Sequence, residues 1–154
     1  MAFNAADGAK IYIGTTTAAT DITSYEADTY QQIGEVESIG DFGDQYEIVS
    51  ANTLGDQRTR KRKGTADAGD ISVTVLFDGS DQGQTDLKSA LDDTGADDYN
   101  FKVELNDSGG TNPTTFFFSG LVTSRRITGV NSNSIARGDL TIAINTEVLE
   151  KAAA

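Results

Sequence analysis

The stretch GTADAGDISVTVLFDGSDQGQTDLKSAL, residues Gly64–Leu91, contains the clearest strand of the sequence and its only convincing helix. From Asp70 to Asp78 the apolar side chains alternate, with Leu76 as the exception. One face carries Ile71, Val73, Val75 and Phe77. A period of two, built from β-branched and aromatic residues, is typical of a strand that packs on one side. This segment therefore predicts a central strand of a sheet.

A turn and a helix follow the strand. Asp78-Gly79-Ser80 predicts a tight turn, since Gly tolerates positive φ and Asp bonds its own downstream backbone. The pattern after it predicts a helix over about Gln82–Asp93, which Gly95 is placed to end. Ala90 shares one helix face with Leu87 and Leu91, and we expect the two leucines to form its core contact against the outside of the sheet.

Composition limits the chemistry that the chain can perform. The 154 residues fit one domain and include no Cys and no His, which removes the commonest general base and the thiolate zinc site. No Gly-x-Ser-x-Gly elbow or phosphate-binding Gly-Lys-Ser/Thr loop occurs, and the loop at Asp78 lacks the glutamate that an EF-hand needs at Ser89. We therefore expect no catalytic residue, no metal site and no cofactor.

The termini and apolar runs argue against export or membrane insertion. Residues Met1–Asp7 have neither the basic flank nor the apolar centre of a secretion signal, and no apolar run is long enough to span a bilayer. We expect a soluble chain that stays where it is made, or leaves only as part of something larger.

The rest of the chain predicts a mainly β fold, with strands separated by Gly-rich turns and no internal repeat. The predicted strands are Lys10–Gly14, Tyr30–Ile39, Tyr46–Ala51, Tyr99–Leu105, Thr114–Ile127 and Asp139–Val148. Gly40–Asp44 is predicted as the turn of a hairpin. Thr15–Thr29 is predicted as a loop with little to bury, and residues 52–69 as one long loop. Residues 1–9 and 149–154 are predicted as short arms, and residues 106–113 as a turn. Phe116, Phe117 and Phe118 predict a strand that is covered on both faces.

The charges are unevenly distributed. The chain has 24 acids and 12 bases, a formal net charge of −12, which repels nucleic acid and anionic membranes. Five of the bases lie within six residues, here called the basic cluster: Arg58, Arg60, Lys61, Arg62 and Lys63. The cluster fits three interpretations: contact with nucleic-acid phosphate, a solvated charge run, or docking on an acidic surface of another copy of the chain.

Arg125 and Arg126 form a second basic feature. Adjacent residues on a strand point to opposite faces, so at most one of them faces solvent from the same sheet. We expect the other to pair with an acid, in the same subunit or in a neighbour. The alternative is that both extend to solvent at a frayed strand end.

The order of motifs in the first two thirds of the chain resembles the tail tube proteins. These are the major tail proteins of long flexible-tailed, siphovirus-type bacteriophages and of related gene transfer agents. The motifs are YQQIGEVESIGDFGDQYEIVS (Tyr30–Ser50), Thr53-Leu54, a charged loop, and then Gly64–Leu91. One departure is the absence of an Asp between the strand ending near Ser50 and Thr53, where many relatives have one.

The resemblance implies a small β-sandwich or barrel-like fold with one flanking helix, six copies of which close into a ring. Each copy contributes strands to a continuous β-barrel, and the rings stack into a tube that conducts DNA from capsid to host. It also implies that the long loop and the arms reach the next ring. The implied partners are other copies, a tail terminator and baseplate proteins, with DNA passing through without specific binding. The implied location is the virion tail, after synthesis in the host cytoplasm, with no membrane contact.

An acidic channel agrees with this resemblance, because phosphate must slide past without binding. The alternative class is a free-standing carbohydrate- or surface-binding β-sandwich. That class predicts a protein that stays small in solution, whereas a tube protein forms rings or polymers.

Overall fold

The computed structural model describes residues 8–106 and 112–153, which form ten strands and two helices. These elements are β1 (Lys10–Ile13), α1 (Ile22–Glu26), β2 (Gln31–Gln32), β3 (Val36–Ile39), β4 (Gln45–Ala51), β5 (Arg60–Asp67), β6 (Asp70–Leu76), α2 (Gln82–Asp92), β7 (Tyr99–Glu104), β8 (Thr115–Thr128), β9 (Arg137–Ile144) and β10 (Leu149–Lys151). The mainly β class is confirmed, with a short second helix that the sequence did not predict.

Eight strands form one antiparallel sheet in the order β2-β1-β7-β8-β9-β6-β3, with β10 added to β8. The long strand β8 belongs to two halves of this sheet. Its first part, up to Gly120, pairs with β7, and the part from Gly120 to Thr128 pairs with β9. Apolar residues from both halves and from α2 meet in one core. The other sheet in the described chain has two strands, β4 and β5.

Strand β6 and helix α2 form where the sequence predicts them. Ile71, Val73 and Val75 are buried in the core. Phe77 is an exception, because the strand ends at Leu76 and the Phe77 side chain is 46% exposed. Leu87 is 1% exposed, whereas Leu91 is only partly buried against the core.

The N-terminus of α2 is fixed by polar contacts. The Asp81 carboxylate caps the helix by accepting from the Gln84 backbone N–H. The buried Gln84 side chain donates to the carbonyls of Gly34 and Leu76. The helix ends at Asp92, and its C-cap is Asp93, not Gly95 as predicted. The Asp93 carboxylate instead accepts the Gly95 N–H.

The prediction that Tyr30–Ile39 and Tyr46–Ala51 form a hairpin is wrong. Strand β3 pairs with β6, and strand β4 pairs with β5 in the separate sheet. Val36 and Ile39 pack against the core, while every residue of β4 is exposed, so the two strands belong to different environments. The short segment between them, Gly40–Asp44, is therefore a connection between two sheets and not the turn of a hairpin.

Two other segments hold more structure than predicted. Residues 52–69 are not one loop, since β5 occupies Arg60–Asp67. Residues 149–151 of the predicted C-terminal arm form β10, which pairs with Thr115–Phe117 of β8. The predicted N-terminal arm at 1–9 lies mostly outside the described residues, as does most of the predicted turn at 106–113.

The segment Thr15–Thr29, predicted to bury little, contains α1 and the buried Tyr25. The Tyr25 hydroxyl shares a 3.0 Å hydrogen bond with Ser119, whose hydroxyl lies 2.7 Å from the Asn100 amide oxygen. Asn100 is 2% exposed and donates to the Asp28 carboxylate and the Thr17 carbonyl. A polar network therefore fastens this segment to β7 and β8.

The C-terminal strands agree closely with the prediction. On β8, Phe117 and Phe118 are buried on opposite faces, so this strand is covered on both sides. On β9, Leu140, Ile142 and Ile144 are buried, although the strand ends at Ile144 and does not reach Val148.

Candidate assembly surface

Strands β4 and β5 form a two-stranded antiparallel ribbon, defined here as residues Gln45–Asp67. It pairs with no strand of the large sheet in the described chain. The register runs from Gln45 opposite Asp67 to Ala51 opposite Arg60, with a bulge between Tyr46 and Ile48. A ribbon of two strands is marginal in water by itself, so its apolar side chains need a partner surface.

The ribbon exposes large apolar side chains in both directions. Ile48 is 69% exposed and Val49 58% exposed, and as neighbours on one strand they point to opposite faces. Tyr46 lies on the Ile48 face, and Leu54 is fully exposed in the connection between the strands. Exposed apolar residues concentrated in this way are typical of an interaction site.

The basic cluster lies on the same ribbon, on and just before β5. Arg62 lies opposite Val49, and Lys63 lies opposite Ile48, so each face combines an apolar residue of β4 with a base of β5. The Lys63 ammonium is 4.8 Å from the centre of the Tyr46 ring. All five side chains of the cluster are exposed, with Arg58 in the connection before β5.

Few acids balance these bases locally. Arg60 makes an ion pair of 2.8 Å with Asp56, and within the described chain no other member of the cluster has a carboxylate partner. The ribbon holds five of the 12 bases but only three of the 24 acids. It is thus locally positive on a chain with a formal net charge of −12.

Arg125 and Arg126 lie near the end of β8, far along the sequence from the ribbon. Arg125 shares the face of Leu140, and its guanidinium is 5.8 Å from the centre of the Phe77 ring. Arg126 shares the opposite face with Asp139, its cross-strand neighbour. Neither arginine makes an ion pair within residues 8–106 and 112–153, so pairing with a neighbouring subunit stays a prediction.

The described residues contain no cluster of acids that could hold a metal ion. A cleft of about 470 Å³ lies between the edge of β3 and the end of β7, and its lining includes Ile39, Phe42 and Val103. The same lining includes Ser38 and Glu37, and the Glu37 carboxylate is paired with Arg137. No helix of the described chain is both long and apolar enough to cross a membrane.

The sequence identified the basic cluster but missed the strand that displays it. Strand β5 has the sequence RKRKGTAD, which contains no large apolar residue and so no period of two. The adjacent pair Ile48 and Val49 could have indicated the ribbon. Two neighbouring apolar residues make both faces of a strand apolar, which is typical of a strand that is covered on both faces.

Comparison with known proteins gives the fold. No protein-family model matches this sequence, and no curated protein does. A chain in the sheath/tube terminator structure of an extracellular contractile injection system, PVC, is 15% identical, with a TM-score of 0.73 and coverage of 99% of both chains. A chain in the tail of an empty gene transfer agent particle, computed with C6 symmetry, is 18% identical over 93% of this chain and 95% of that chain, with a TM-score of 0.63.

The SPP1 tail tube is 14% identical, with a TM-score of 0.65, over 94% of this chain and 76% of that chain. In all three comparisons the similarity extends over nearly the whole of this protein. The protein therefore has the fold of tail tube proteins, found in phage tails, gene transfer agents and contractile injection systems.

Proposed function

We propose that this chain is a tail tube subunit, and that six copies form rings which stack into a tube that conducts DNA. The observation that carries the proposal is the tail tube fold, which extends over 99% of the chain in one comparison. The sixfold symmetry of the similar gene transfer agent tail supports the number of copies. Nothing in the comparisons favours the alternative of a carbohydrate- or surface-binding module.

The ribbon supplies the contact between rings in this proposal. Its basic side chains dock on the acidic surface of a copy in the next ring, where opposite charges attract. Each exposed pair contributes less than about 1 kcal/mol, but the contact recurs in every subunit. The apolar residues Ile48 and Val49 are covered by the same contact, which removes their surface from water.

The basic cluster does not face the channel in this arrangement. Five cations per subunit would bind phosphates and slow the passage of DNA. The excess of acids elsewhere on the chain provides a lumen that repels the DNA backbone. The subunit performs no catalysis and needs no cofactor.

The remaining partners are the proteins at the two ends of the tube. The same fold occurs in structures of the anti-feeding prophage baseplate and of its tube-terminating cap. A terminator at one end and a baseplate at the other are therefore the expected neighbours of the first and last rings. The protein acts in the virion tail after synthesis in the host cytoplasm.

The purified wild-type chain tests the proposal directly. Sedimentation velocity and negative-stain microscopy over a range of concentrations should show rings or tubes with a central channel, which retain no double-stranded DNA at physiological salt. A protein that stays monomeric at every concentration, or that binds DNA along its length, would contradict the proposal.

The ribbon contact has its own test. The variant with all five cluster residues changed to Ser should keep the thermal unfolding midpoint of the wild-type monomer, because these side chains are exposed, yet lose tube growth. Two double variants that remove the same charge at different places form the control. Lys61→Ser with Arg62→Ser changes the cluster and should shorten the tubes, whereas Lys10→Ser with Lys88→Ser changes two exposed bases outside it. Equal tube length in both double variants would show that the cluster is only a solvated charge run.

A further inference from the structure

The far end of the β8–β9 hairpin is a second exposed apolar surface, here called the hairpin tip: Arg125–Arg137 together with Phe77. The described residues include eight exposed large hydrophobic side chains. Four of them belong to the ribbon, and the other four belong to the hairpin tip. These four are Phe77, Ile127, Val130 and Ile135, with Val130 76% exposed and Ile135 59% exposed.

The hairpin tip is also free of acids. Between Asp107 and Asp139 the sequence contains no Asp and no Glu, although acids make up 24 of the 154 residues. The hairpin tip itself contains three arginines, of which Arg137 pairs with Glu37 of β3 at 2.5 Å. Arg125 and Arg126 make no ion pair in the described chain, although Asp139 lies opposite Arg126 on β9, so the hairpin tip carries a net positive charge. In both exposed surfaces, apolar side chains thus coincide with bases and with a local lack of acids.

Short contacts hold the hairpin tip in one conformation. Gly129 has a φ of +72°, and a Cβ at this position would lie 2.6 Å from the Ile135 carbonyl oxygen, so only Gly fits here. The Asn131 N–H donates to the Gly129 carbonyl, and the Asn133 N–H donates to the Asn131 side chain. Phe77 is anchored by its N–H, which donates to the Ala136 carbonyl at 3.0 Å. Val130 and Ile135 are thus presented on a preorganised turn, which lowers the entropy cost of binding.

We propose that the hairpin tip is a second docking surface, which receives an acidic face of another copy of this chain. This inference rests on the proposed function. The occupant is a second copy because that copy carries the complementary charge, and because the ribbon is already assigned to the next ring. A tube needs two kinds of contact, one within each ring and one between rings, and the hairpin tip supplies the contact within the ring.

The contact is head-to-tail. Packing two hairpin tips symmetrically against each other would bring Arg125 and Arg126 of both copies together, and like charges oppose such an arrangement. Docking on a different surface of the neighbour avoids this repulsion. Repeated head-to-tail contacts generate a ring when the rotation closes.

The test changes the two most exposed apolar residues of the hairpin tip. The variant Val130→Ser with Ile135→Ser should keep the wild-type unfolding midpoint, since both side chains are exposed, but should need at least a tenfold higher concentration to form rings in sedimentation velocity. Ser132→Ala, an exposed change in the same turn, serves as the control and should assemble normally. The five-serine ribbon variant should still form single rings while losing stacks.

A single cysteine tests the direction of the contact, because the chain has no Cys of its own. Val130→Cys, labelled with a polarity-sensitive fluorophore, should shift to the blue on ring formation, and the unlabelled variant should form no disulfide-linked dimer in oxidised rings. Efficient disulfide dimers would overturn the head-to-tail contact.

The other outcomes separate the two proposals. If wild type assembles and the Val130→Ser/Ile135→Ser variant assembles equally well, the hairpin tip is not an interface, and the proposed function stands. If wild type binds double-stranded DNA and that variant assembles normally but loses this binding, the hairpin tip is a nucleic-acid site, and both the inference and the proposed function are overturned. A wild-type chain that never assembles overturns both.

Discussion

Leu87 is the most deeply buried apolar residue of helix α2 and packs in the core with the sheet. Its side chain is 1% exposed and lines the same small internal space as Val75 and Leu140. Leu87→Ala should reduce the free energy of unfolding by about 2–5 kcal/mol, because it removes buried methyl groups and leaves a cavity. A denaturant titration measures this loss, and Leu91→Ala, at a partly buried position, should cost less. A loss within error for Leu87→Ala would mean that the helix packs elsewhere.

The ionisation of Asp28 makes the stability of the fold depend on pH. Burial opposes its ionisation, but hydrogen bonds from Thr15, Asn100 and Thr29 outweigh burial and hold the pKa of Asp28 below its ordinary value. A carboxyl group with a lowered native pKa stabilises the fold above its unfolded pKa of about 3.8, and that stabilisation is lost as the pH falls through the native pKa.

Asp28→Asn should therefore lower the unfolding free energy at pH 7 more than at pH 3, because the amide nitrogen of Asn cannot accept these hydrogen bonds. Chemical denaturation at the two pH values provides the comparison, with the exposed Asp41→Asn as the control. An equal loss at both pH values would show that the ionised carboxylate is not what holds Thr15 and Asn100.

At the scale of elements, the ribbon and the large sheet should be separable. All of β4 is exposed, and β5 buries no side chain within the described chain. Tyr46 lies directly opposite Ala66, so Glu47–Thr65 can be replaced by Asn-Gly, a two-residue hairpin turn.

The shortened chain should unfold cooperatively at nearly the wild-type temperature and form no stacked rings. Circular dichroism follows the unfolding, and negative-stain microscopy follows the stacking. Loss of cooperative unfolding would mean that the ribbon is part of the core, whereas normal stacking would remove its assembly role.

At the scale of the whole molecule, assembly is a balance between general repulsion and local attraction. Copies with a net charge of −12 repel each other, while the ribbon offers an opposite charge at the contact. The Debye length, over which salt screens charges, falls from about 10 Å at 0.1 M salt to about 3 Å at 1 M. The advantage of wild type over the five-serine variant in tube formation should therefore shrink as salt rises. Light scattering at both salt concentrations measures it, and an advantage that does not change with salt would show a contact that is not electrostatic.

Local sequence was enough to predict the elements whose own side chains form an apolar face. Residues 70–76, the helix at 82–92 and the strands around Phe101 and Ile142 follow from local periodicity, because a buried face must be apolar whatever it packs against. The apolar run Phe116–Phe118 likewise predicts a strand that is covered on both faces. Charge counting identified the basic cluster and left three interpretations of it open, and the docking role is a proposal that also draws on the resemblance to tail tube proteins. The order of the motifs in residues 30–91 was enough to indicate the tail tube fold.

The pairing of the strands, in contrast, could not be predicted from local sequence. Strand β5 has no apolar pattern and forms through backbone hydrogen bonds to the preceding strand β4, whereas β10 has only three residues and forms on the edge of β8, which is distant in sequence. Asn100 is buried because Thr17, Asp28 and Ser119 satisfy its polar groups there. The hairpin tip likewise becomes a surface only when Phe77 joins residues some fifty positions later in the chain. Such long-range pairing depends on which edges and polar groups the fold brings together, and local sequence does not encode that choice.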